Sequence, residues 1–215
     1  MLLAPGKGFV FLATPKTAST SIEHAFRPHA DVFMKSNPFK HTRYAHFQRF
    51  LQPWLNSEGF PRGSYEVVCV VREPIDWLAS WWRYRSRGEL ANPSCRNHPN
   101  YAGHLSFEQF VRAYMDGEAQ FAQVGRQAKF VRPRGGQAGV DRLFRYDRLN
   151  LLVAYLCEKV GEEVKIGTSN VSPRRSVYLS EECERELREF FAPEYRIYEG
   201  AIAEWVPGTV GRADG

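Results

Sequence analysis

The chain has 215 residues, of which 43% are apolar and 25% are charged, and its formal net charge is +5 at pH 7. This length and composition suit one hydrophobic core, so we predict a single domain over residues 1–215. The longest apolar runs, such as Val67–Val71, have the length of a strand and are too short to span a membrane. The positive charge fits an anionic ligand, a polyanion or nucleic acid.

The cysteines have no paired spacing of the kind found in zinc sites or redox motifs; they are Cys69, Cys95, Cys157 and Cys183. We therefore expect no metal site and a reducing, cytoplasmic location. The apolar run that follows Lys7 leads directly into a polar, lysine-containing segment, so we interpret it as the first strand and not as a signal peptide.

The first third of the chain is predicted to contain a strand, a helix, a short strand or turn, and a second helix. An apolar strand at Phe9–Leu12 precedes a helix over Thr20–Phe26, and a short strand or turn is expected between residues 31 and 38. The spacing of apolar residues predicts a further helix from Arg43 to about Leu55, which Pro53 should bend or end.

The rest of the chain alternates strands and helices. Glu66–Arg72 is typical of a buried parallel strand, and Glu73-Pro74 opens a helix to about Ser86. A long loop is expected over Gly88–Gly103, followed by a capping box at Ser106. The last predictions are a strand at Leu143–Tyr146, a helix at Leu149–Val160 and a long helix after Ser180. This order predicts an α/β fold with a central, mostly parallel sheet flanked by helices.

The segment Thr14–Ile22 has the composition of an anion-binding loop. Lys16 follows the first strand directly, and a helix begins a few residues later, so backbone N–H groups and a lysine would face one ligand. Hydroxyl side chains add further donors at Thr17, Ser19, Thr20 and Ser21. The segment is not a P-loop, because no glycine lies between Gly8 and Ser21. The expected ligand is a phosphate or sulfate ester.

A second candidate anion site follows the strand at Glu66–Arg72. Arg72 stands at the carboxyl end of this strand, where ligands bind in parallel α/β sheets, and a helix starts at Pro74. Ser80 lies two turns into that helix. An arginine can hold a phosphate with two hydrogen bonds, and a serine can add a third donor. Two separated anion sites indicate a ligand with two anionic ends.

These two segments resemble motifs of the sulfotransferases that use 3′-phosphoadenosine-5′-phosphosulfate (PAPS). Pro15–Ser21 is similar to their 5′-phosphosulfate loop, and Arg72-Glu73-Pro74 with Ser80 is similar to their 3′-phosphate motif, R-D-P-x-x-R-x-x-S. The first motif is closest to the heparan and uronyl 2-O-sulfotransferase branch and its soluble bacterial relatives. The resemblance continues through Arg145–Leu149, Asn170–Pro173, Leu179–Glu181 and Tyr195–Tyr198.

The chain departs from the family pattern at two positions of the second motif. Glu73 stands where the family usually has aspartate, and Trp77 stands where an arginine is common. The membrane anchor of the Golgi enzymes is absent from the sequence, consistent with a soluble member. The resemblance implies a P-loop-like sulfotransferase fold, with PAPS as sulfuryl donor and 3′,5′-adenosine bisphosphate as product. The acceptor would be a hydroxyl or amine, with a small molecule or carbohydrate as the expected partner; a lipid or a peptide tyrosine also fits the sequence.

The resemblance also implies a role for individual residues. Lys16 would be catalytic, because its ammonium group can stabilise the charge that develops on the leaving phosphate. The cofactor-binding residues would be Lys16, Thr17, Ala18, Ser19, Thr20, Ser21, Arg72 and Ser80. Arg174 and Arg175 would close over the nucleotide or contact an anionic acceptor.

Transfer to a hydroxyl needs a general base, and histidine is the usual one near neutral pH. We select His41, which lies between the two motifs, where this family carries its base, and at a predicted helix start. His46 is the second choice. His98 and His104 fall in the long loop and could contact the acceptor, whereas His24 should point away from the anion site.

Two other classes of protein remain open. An ATP-dependent small-molecule kinase would carry a glycine-rich Walker loop, which this chain lacks. A non-catalytic polyanion-binding protein would carry a dense basic stripe, whereas basic and acidic residues are interspersed here, so nucleic acid is not expected as a partner. The helical spacing of Trp77, Trp81 and Trp82 favours core packing over an acceptor platform.

Overall fold

The computed structural model describes residues 1–132, 139–167 and 175–204. The described residues form two compact units. Unit 1 draws its residues from Met1–Val71, Phe130–Ser169 and Gly200–Gly215, and unit 2 draws its residues from Arg72–Lys129 and Asn170–Glu199. The single domain predicted over residues 1–215 stays a prediction.

Unit 1 is built on a five-stranded sheet with the order β3-β1-β2-β4-β5. The strands in chain order are β1 (Leu2–Ala4), β2 (Phe9–Phe11), β3 (Val32–Phe33), β4 (Glu66–Val71) and β5 (Arg142–Arg145). The α-helices within the described ranges are α1 (Ser19–Phe26), α2 (Tyr44–His46), α3 (Gln52–Ser57), α4 (Pro74–Arg85), α5 (Gly88–Ala91), α6 (Phe107–Asp116), α7 (Gln127–Val131), α8 (Leu149–Val160), α9 (Glu181–Phe190) and α10 (Ala192–Glu199).

The sheet is parallel in the part that follows the candidate loop. β2 pairs with β4 in parallel, with Phe9 opposite Glu66, and β4 pairs with β5 in parallel, with Val70 opposite Phe144. The carboxyl ends of these three strands therefore lie at one edge of the sheet, as the α/β prediction requires. The predicted α/β class, with parallel core strands flanked by helices, is confirmed.

The amino-terminal edge of the sheet differs from the prediction. The first strand is β1 and not the strand before Lys16, and β1 pairs antiparallel with both β2 and β3. The reason is the short connection between β1 and β2, a 3-10 turn at Pro5–Lys7 that ends at Gly8 with φ 78°. Such a tight link can join only antiparallel neighbours, and glycine adopts this left-handed conformation without a steric cost.

One face of the sheet packs against α1 and α8. Their contact buries Ile22 and Phe26 of α1 and Leu152 and Leu156 of α8 against strand residues such as Phe11. Helix α8 ends at Gly161, as predicted, where φ is 81°. Burial of these apolar side chains fixes the start of α1, and hence the loop before it, relative to β2.

Unit 2 has a helical core. The buried aromatic and aliphatic residues of α4, α6 and α9 pack together, including Trp77, Phe110 and Leu187. The predicted capping box is present, because the Ser106 side chain accepts from the Gln109 N–H and the Gln109 side chain accepts from the Ser106 N–H. Core packing of the tryptophans is confirmed for Trp77 and Trp82, which are 2% and 3% exposed.

Three predicted elements have different bounds. The helix expected from Arg43 to Leu55 is divided into α2, a π-helical turn at Phe47–Leu51 and α3, and Pro53 stands in the first turn of α3, where its missing N–H costs nothing. The long loop over Gly88–Gly103 contains α5 and a 3-10 turn at His98–Asn100. The last helix is divided at Phe191 into α9 and α10. No helix in the described ranges is both long and apolar enough to cross a membrane.

Candidate functional site

The loop between β2 and α1 has an unusual backbone conformation. Lys16 and Ala18 both have positive φ, at 67° and 55°, although neither is glycine. Each such residue costs about 1–3 kcal/mol, and residues of this kind cluster at ligand-binding loops. Helix α1 begins directly after Ala18, which is its N-cap and supplies no side-chain hydrogen bond. The Ser21 N–H bonds to the carbonyl oxygen of Ala18. The N–H groups at the very start of a helix have in general no carbonyl partner four residues earlier within the helix, which suits such a helix start to an anion.

The hydroxyl residues of this loop have different surroundings. Thr17 is fully buried, and its Oγ1 atom donates to the Thr14 carbonyl oxygen over 2.9 Å, which closes the loop on itself. The hydroxyl proton of Thr17 is therefore engaged within the loop. Ser19 and Ser21 are also buried, at 5% and 7% exposure, whereas Thr20 is half-buried.

His41 contacts the strand end that leads into this loop. It ends a 3-10 turn at Phe39–His41, and its Nδ1 atom lies 2.6 Å from the Ala13 carbonyl oxygen. A carbonyl oxygen only accepts, so Nδ1 carries the proton, and in the neutral ring Nε2 carries the lone pair. Burial lowers the pKa of His41, the Ala13 carbonyl opposes this, and the Lys40 charge adds to the lowering. The imidazole is therefore neutral and able to accept a proton at neutral pH.

Lys40, the residue before His41, contacts helix α1. Its ammonium nitrogen lies 2.9 Å from Thr20 Oγ1 and 3.0 Å from Glu23 Oε2. Glu23 is 1% exposed, and its other carboxylate oxygen accepts a hydrogen bond from the Met1 amine. Sequence reasoning missed Lys40, although its position next to a candidate base was a usable signal.

The other histidines lie elsewhere. His46 is exposed, and its ring contacts Phe50 edge-on. His24 is exposed on α1, as expected for a side chain turned away from the loop. In unit 2, His98 Nδ1 lies 3.0 Å from the Leu90 carbonyl oxygen, and His104 is exposed beside Tyr101. His41 is thus the candidate base that contacts the backbone next to the Lys16 loop.

Arg72 is the first residue of unit 2, and two side chains of that unit hold it. Its Nε donates to Asp76 Oδ2 over 2.5 Å, and Asp76 also lies 3.8 Å from Arg83 Nη1. Its backbone N–H and carbonyl are both bonded to the Gln127 side-chain amide, at 2.9 and 2.8 Å. Gln127 lies 55 positions away in the sequence, and no sequence signal could have found it.

The two departures from the family pattern have clear roles within unit 2. Glu73 is the N-cap of α4: its Oε2 accepts from the Asp76 N–H, and its Oε1 accepts from the Tyr195 hydroxyl. Trp77 fills the core of the unit and contacts Trp81 edge-to-face. Ser80 lies on α4 and is 5% exposed.

Arg175 lines a cavity of about 780 Å³ within unit 2. Its guanidinium lies 4.2 Å from the centre of the Trp82 ring, and its Nη1 donates to the Gly103 carbonyl oxygen. Tyr178, which is 75% exposed, and Arg112 also line the cavity. Arg174, its partner in the sequence prediction, lies outside the described residues.

The structure groups the predicted residues by unit. The loop residues from Lys16 to Ser21 and the base candidate His41 belong to unit 1, and Arg72, Ser80 and Arg175 belong to unit 2. Within the described ranges no cluster of three or more His, Cys, Asp or Glu side chains could hold a metal ion. All four cysteines are free thiols, and burial raises the pKa of Cys69.

No protein-family model and no curated protein matches the chain. A solved structure, a sulfotransferase from Alicyclobacillus acidocaldarius, is similar at 13% identity and a TM-score of 0.46, and the match covers 89% of this chain and 94% of that one. A similarity at this level carries no conclusion about activity.

Proposed function

We propose that the protein is a sulfotransferase that transfers the sulfuryl group of PAPS to a hydroxyl or amine of a small-molecule or carbohydrate acceptor. The observation that carries this proposal is the contact between His41 and Ala13. It places a neutral imidazole, with its lone pair on Nε2, beside a loop whose backbone and lysine suit an anion. An anion loop with an adjacent base is what group transfer from an anionic donor to a hydroxyl requires.

The residues of the loop fit a phosphosulfate group. Lys16 and the N–H groups at the start of α1 would hold the 5′ end of the nucleotide, together with the donors of Thr17–Ser21. The positive φ angles of Lys16 and Ala18 support a ligand role, because non-glycine residues in this conformation cluster at ligand-binding sites.

Arg72 and Ser80 are assigned to the 3′-phosphate. The bond from Arg72 Nε to Asp76 fixes the guanidinium plane, and an oriented guanidinium suits a bidentate grip on phosphate. Arg174 and Arg175 keep the role proposed from the sequence, closing over the nucleotide or contacting an anionic acceptor. The cavity beside Arg175 has a size suited to a small ligand and carries an exposed tyrosine, which favours an acceptor role for Arg175.

The chemistry of the chain's own residues follows from these assignments. Bound PAPS would supply the sulfuryl group. His41 Nε2 would take the proton of the acceptor hydroxyl, while Ala13 holds the ring in the required tautomer. Lys16 and the start of α1 would stabilise negative charge at the 5′-phosphate, so the rate gain would come from positioning and electrostatics.

The test is ligand binding measured by calorimetry. We expect the protein to bind 3′,5′-adenosine bisphosphate more tightly than ATP–Mg²⁺ or heparin. Both Lys16→Ala and Arg72→Ala should weaken bisphosphate binding by about tenfold or more, because each removes a charge-assisted contact.

The matched control is Lys35→Ala. It removes an exposed lysine of the same unit, and so it changes the net charge by the same amount as Lys16→Ala. It should leave bisphosphate affinity within about twofold. Tighter binding of ATP–Mg²⁺ would favour a kinase, and binding of heparin alone would favour a polyanion-binding protein. Either result overturns the proposal.

A further inference from the structure

We propose that Lys40 is a positioning residue that serves the anion loop and the base together. It would orient the Thr20 hydroxyl as a donor to the bound anion, and it would hold the turn that carries His41. The inference rests on the proposed function for its effect on turnover, whereas its effects on Thr20 and on His41 are measurable without any reaction.

The first step is the contact between Lys40 and α1. The ammonium group reaches two residues on one face of the helix, Thr20 Oγ1 at 2.9 Å and Glu23 Oε2 at 3.0 Å. The Lys40 side chain is 18% exposed and Glu23 is 1% exposed, so solvent screens this pair little. The turn at Phe39–His41 is thereby fixed to the first helical turns that follow the anion loop.

The second step concerns the direction of the Thr20 hydroxyl. An ammonium group has three donors and no acceptor, so Thr20 Oγ1 accepts in this bond. The hydroxyl proton of Thr20 must then point away from Lys40. A phosphate or sulfate oxygen needs a donor, and a hydroxyl that already accepts from a cation is a stronger one.

The third step concerns His41, which follows Lys40 directly. The charged groups that act on its imidazole are Lys40, Glu23 and the Met1 amine. Lys40 favours the neutral ring, as does burial, while Glu23 opposes it. Through its charge Lys40 helps to keep Nε2 unprotonated, and through its contacts it helps to keep Nδ1 on the Ala13 carbonyl.

The experiment compares Lys40→Met with the wild-type protein in two measurements. In calorimetry with 3′,5′-adenosine bisphosphate, Lys40→Met and Thr20→Val should each weaken binding by about fivefold to tenfold. The double variant should be no more than about twofold weaker than either single variant, because both substitutions remove the same oriented donor. Additive losses would overturn the role of Lys40 in orienting Thr20.

The second measurement is an NMR titration of the His41 imidazole in the ligand-free protein. Loss of the Lys40 charge should raise the pKa of His41, and the control Lys35→Met, at an exposed position, should leave it unchanged. An unchanged pKa in Lys40→Met would overturn the coupling to His41. If Lys40→Met does not fold, Lys40→Gln keeps a donor without the charge, and it should raise the pKa while retaining most of the affinity.

The two measurements separate this inference from the proposed function. A wild-type protein that binds no bisphosphate contradicts the function, and the NMR titration still decides the link between Lys40 and His41. If the wild-type protein binds bisphosphate tightly, but Lys40→Met changes neither the bisphosphate affinity nor the pKa of His41, the result contradicts the role of Lys40 and leaves the proposed function intact.

Discussion

The side-chain amide of Gln127 forms two hydrogen bonds with the backbone of Arg72, accepting from its N–H at 2.9 Å and donating to its carbonyl at 2.8 Å. Gln127 is 3% exposed, so water cannot replace these bonds easily. Arg72 follows directly after β4, and the amide therefore holds the backbone of the proposed phosphate-binding arginine in one conformation.

We expect Gln127→Leu to weaken the binding of 3′,5′-adenosine bisphosphate by about fivefold to tenfold, because the Arg72 backbone N–H and carbonyl both lose their hydrogen bonds to the amide. Calorimetry measures the affinity, and circular dichroism checks that the variant is folded. Gln123→Leu, at an exposed position four residues earlier, is the control. Equal affinities for the two variants would show that Gln127 does not position Arg72.

The base assignment predicts a loss of turnover without a loss of binding in His41→Asn. The asparagine amide can still donate to the Ala13 carbonyl, but it cannot accept a proton. The turnover number should fall by about 10²–10⁴ while bisphosphate affinity stays within about twofold. Turnover is followed with PAPS and a panel of hydroxyl acceptors, and a variant that retains turnover would point to another base, with His46 tested next.

The pH dependence of turnover is a further consequence of the lowered pKa of His41. The base must be unprotonated, so kcat/KM should rise with pH through the pKa of His41 in the free enzyme. Because burial lowers that pKa, the midpoint of the rise should lie below the pKa of about 6.5 of an ordinary histidine. A rise centred well above this value would contradict the assignment of a buried, neutral His41.

Glu66 should stabilise unit 1 in a pH-dependent manner. Its burial alone would raise its pKa, but the Tyr155 hydroxyl, Lys159 and Arg142 outweigh this effect and the pKa is lowered. A carboxyl with a lowered native-state pKa stabilises the fold above its unfolded pKa of about 4.3, and this stabilisation is lost as the pH falls through the native-state value.

The variant Glu66→Gln tests this stabilisation. At pH 7 we expect the free energy of unfolding to fall by about 2 kcal/mol, since Gln keeps the size but loses the charge-assisted bonds. Urea titrations followed by circular dichroism should show this difference shrinking as the pH is lowered below about 4. A difference that is constant with pH would exclude an electrostatic origin.

Unit 2 contains an ion pair with a fully buried carboxylate. Arg126 donates to both carboxylate oxygens of Glu194, at 2.8 and 2.6 Å, and the Glu194 side chain is 0% exposed. Arg126→Met should lower the free energy of unfolding by about 3–5 kcal/mol, because it leaves a buried charge without its partner.

The double variant Arg126→Met with Glu194→Leu should recover much of this loss, since neither charge is then buried. Urea titrations followed by tryptophan fluorescence suit the measurement, because Trp77, Trp81 and Trp82 all lie in unit 2. A double variant as unstable as Arg126→Met would show that lost packing, and not the unpaired charge, is the cause.

Local sequence patterns predicted several elements correctly. The apolar run that becomes β4, the proline that opens α4, the capping box of α6 and the glycine that ends α8 are features of a few adjacent residues. Such features act through short-range backbone chemistry, so the sequence is enough to find them. The antiparallel β1 was missed because a three-residue strand has too little pattern to identify.

The sequence by itself predicted the α/β class, which the structure confirms, and it led to two proposals, the anion-binding role of the segment after β2 and the choice of His41 as candidate base. The tertiary structure decided which contacts these residues and their neighbour Lys40 form. The Thr17 hydroxyl donates to the Thr14 carbonyl oxygen within its own loop, Nδ1 of His41 bonds to the Ala13 carbonyl oxygen, and the Lys40 ammonium group contacts Thr20 and Glu23. The contacts of His41 and Lys40 join residues that are 17–28 positions apart in the sequence, and the contact between Gln127 and Arg72 joins residues that are 55 positions apart. A residue's own sequence neighbourhood carries no information about such partners, because only the folded backbone brings them within hydrogen-bonding distance.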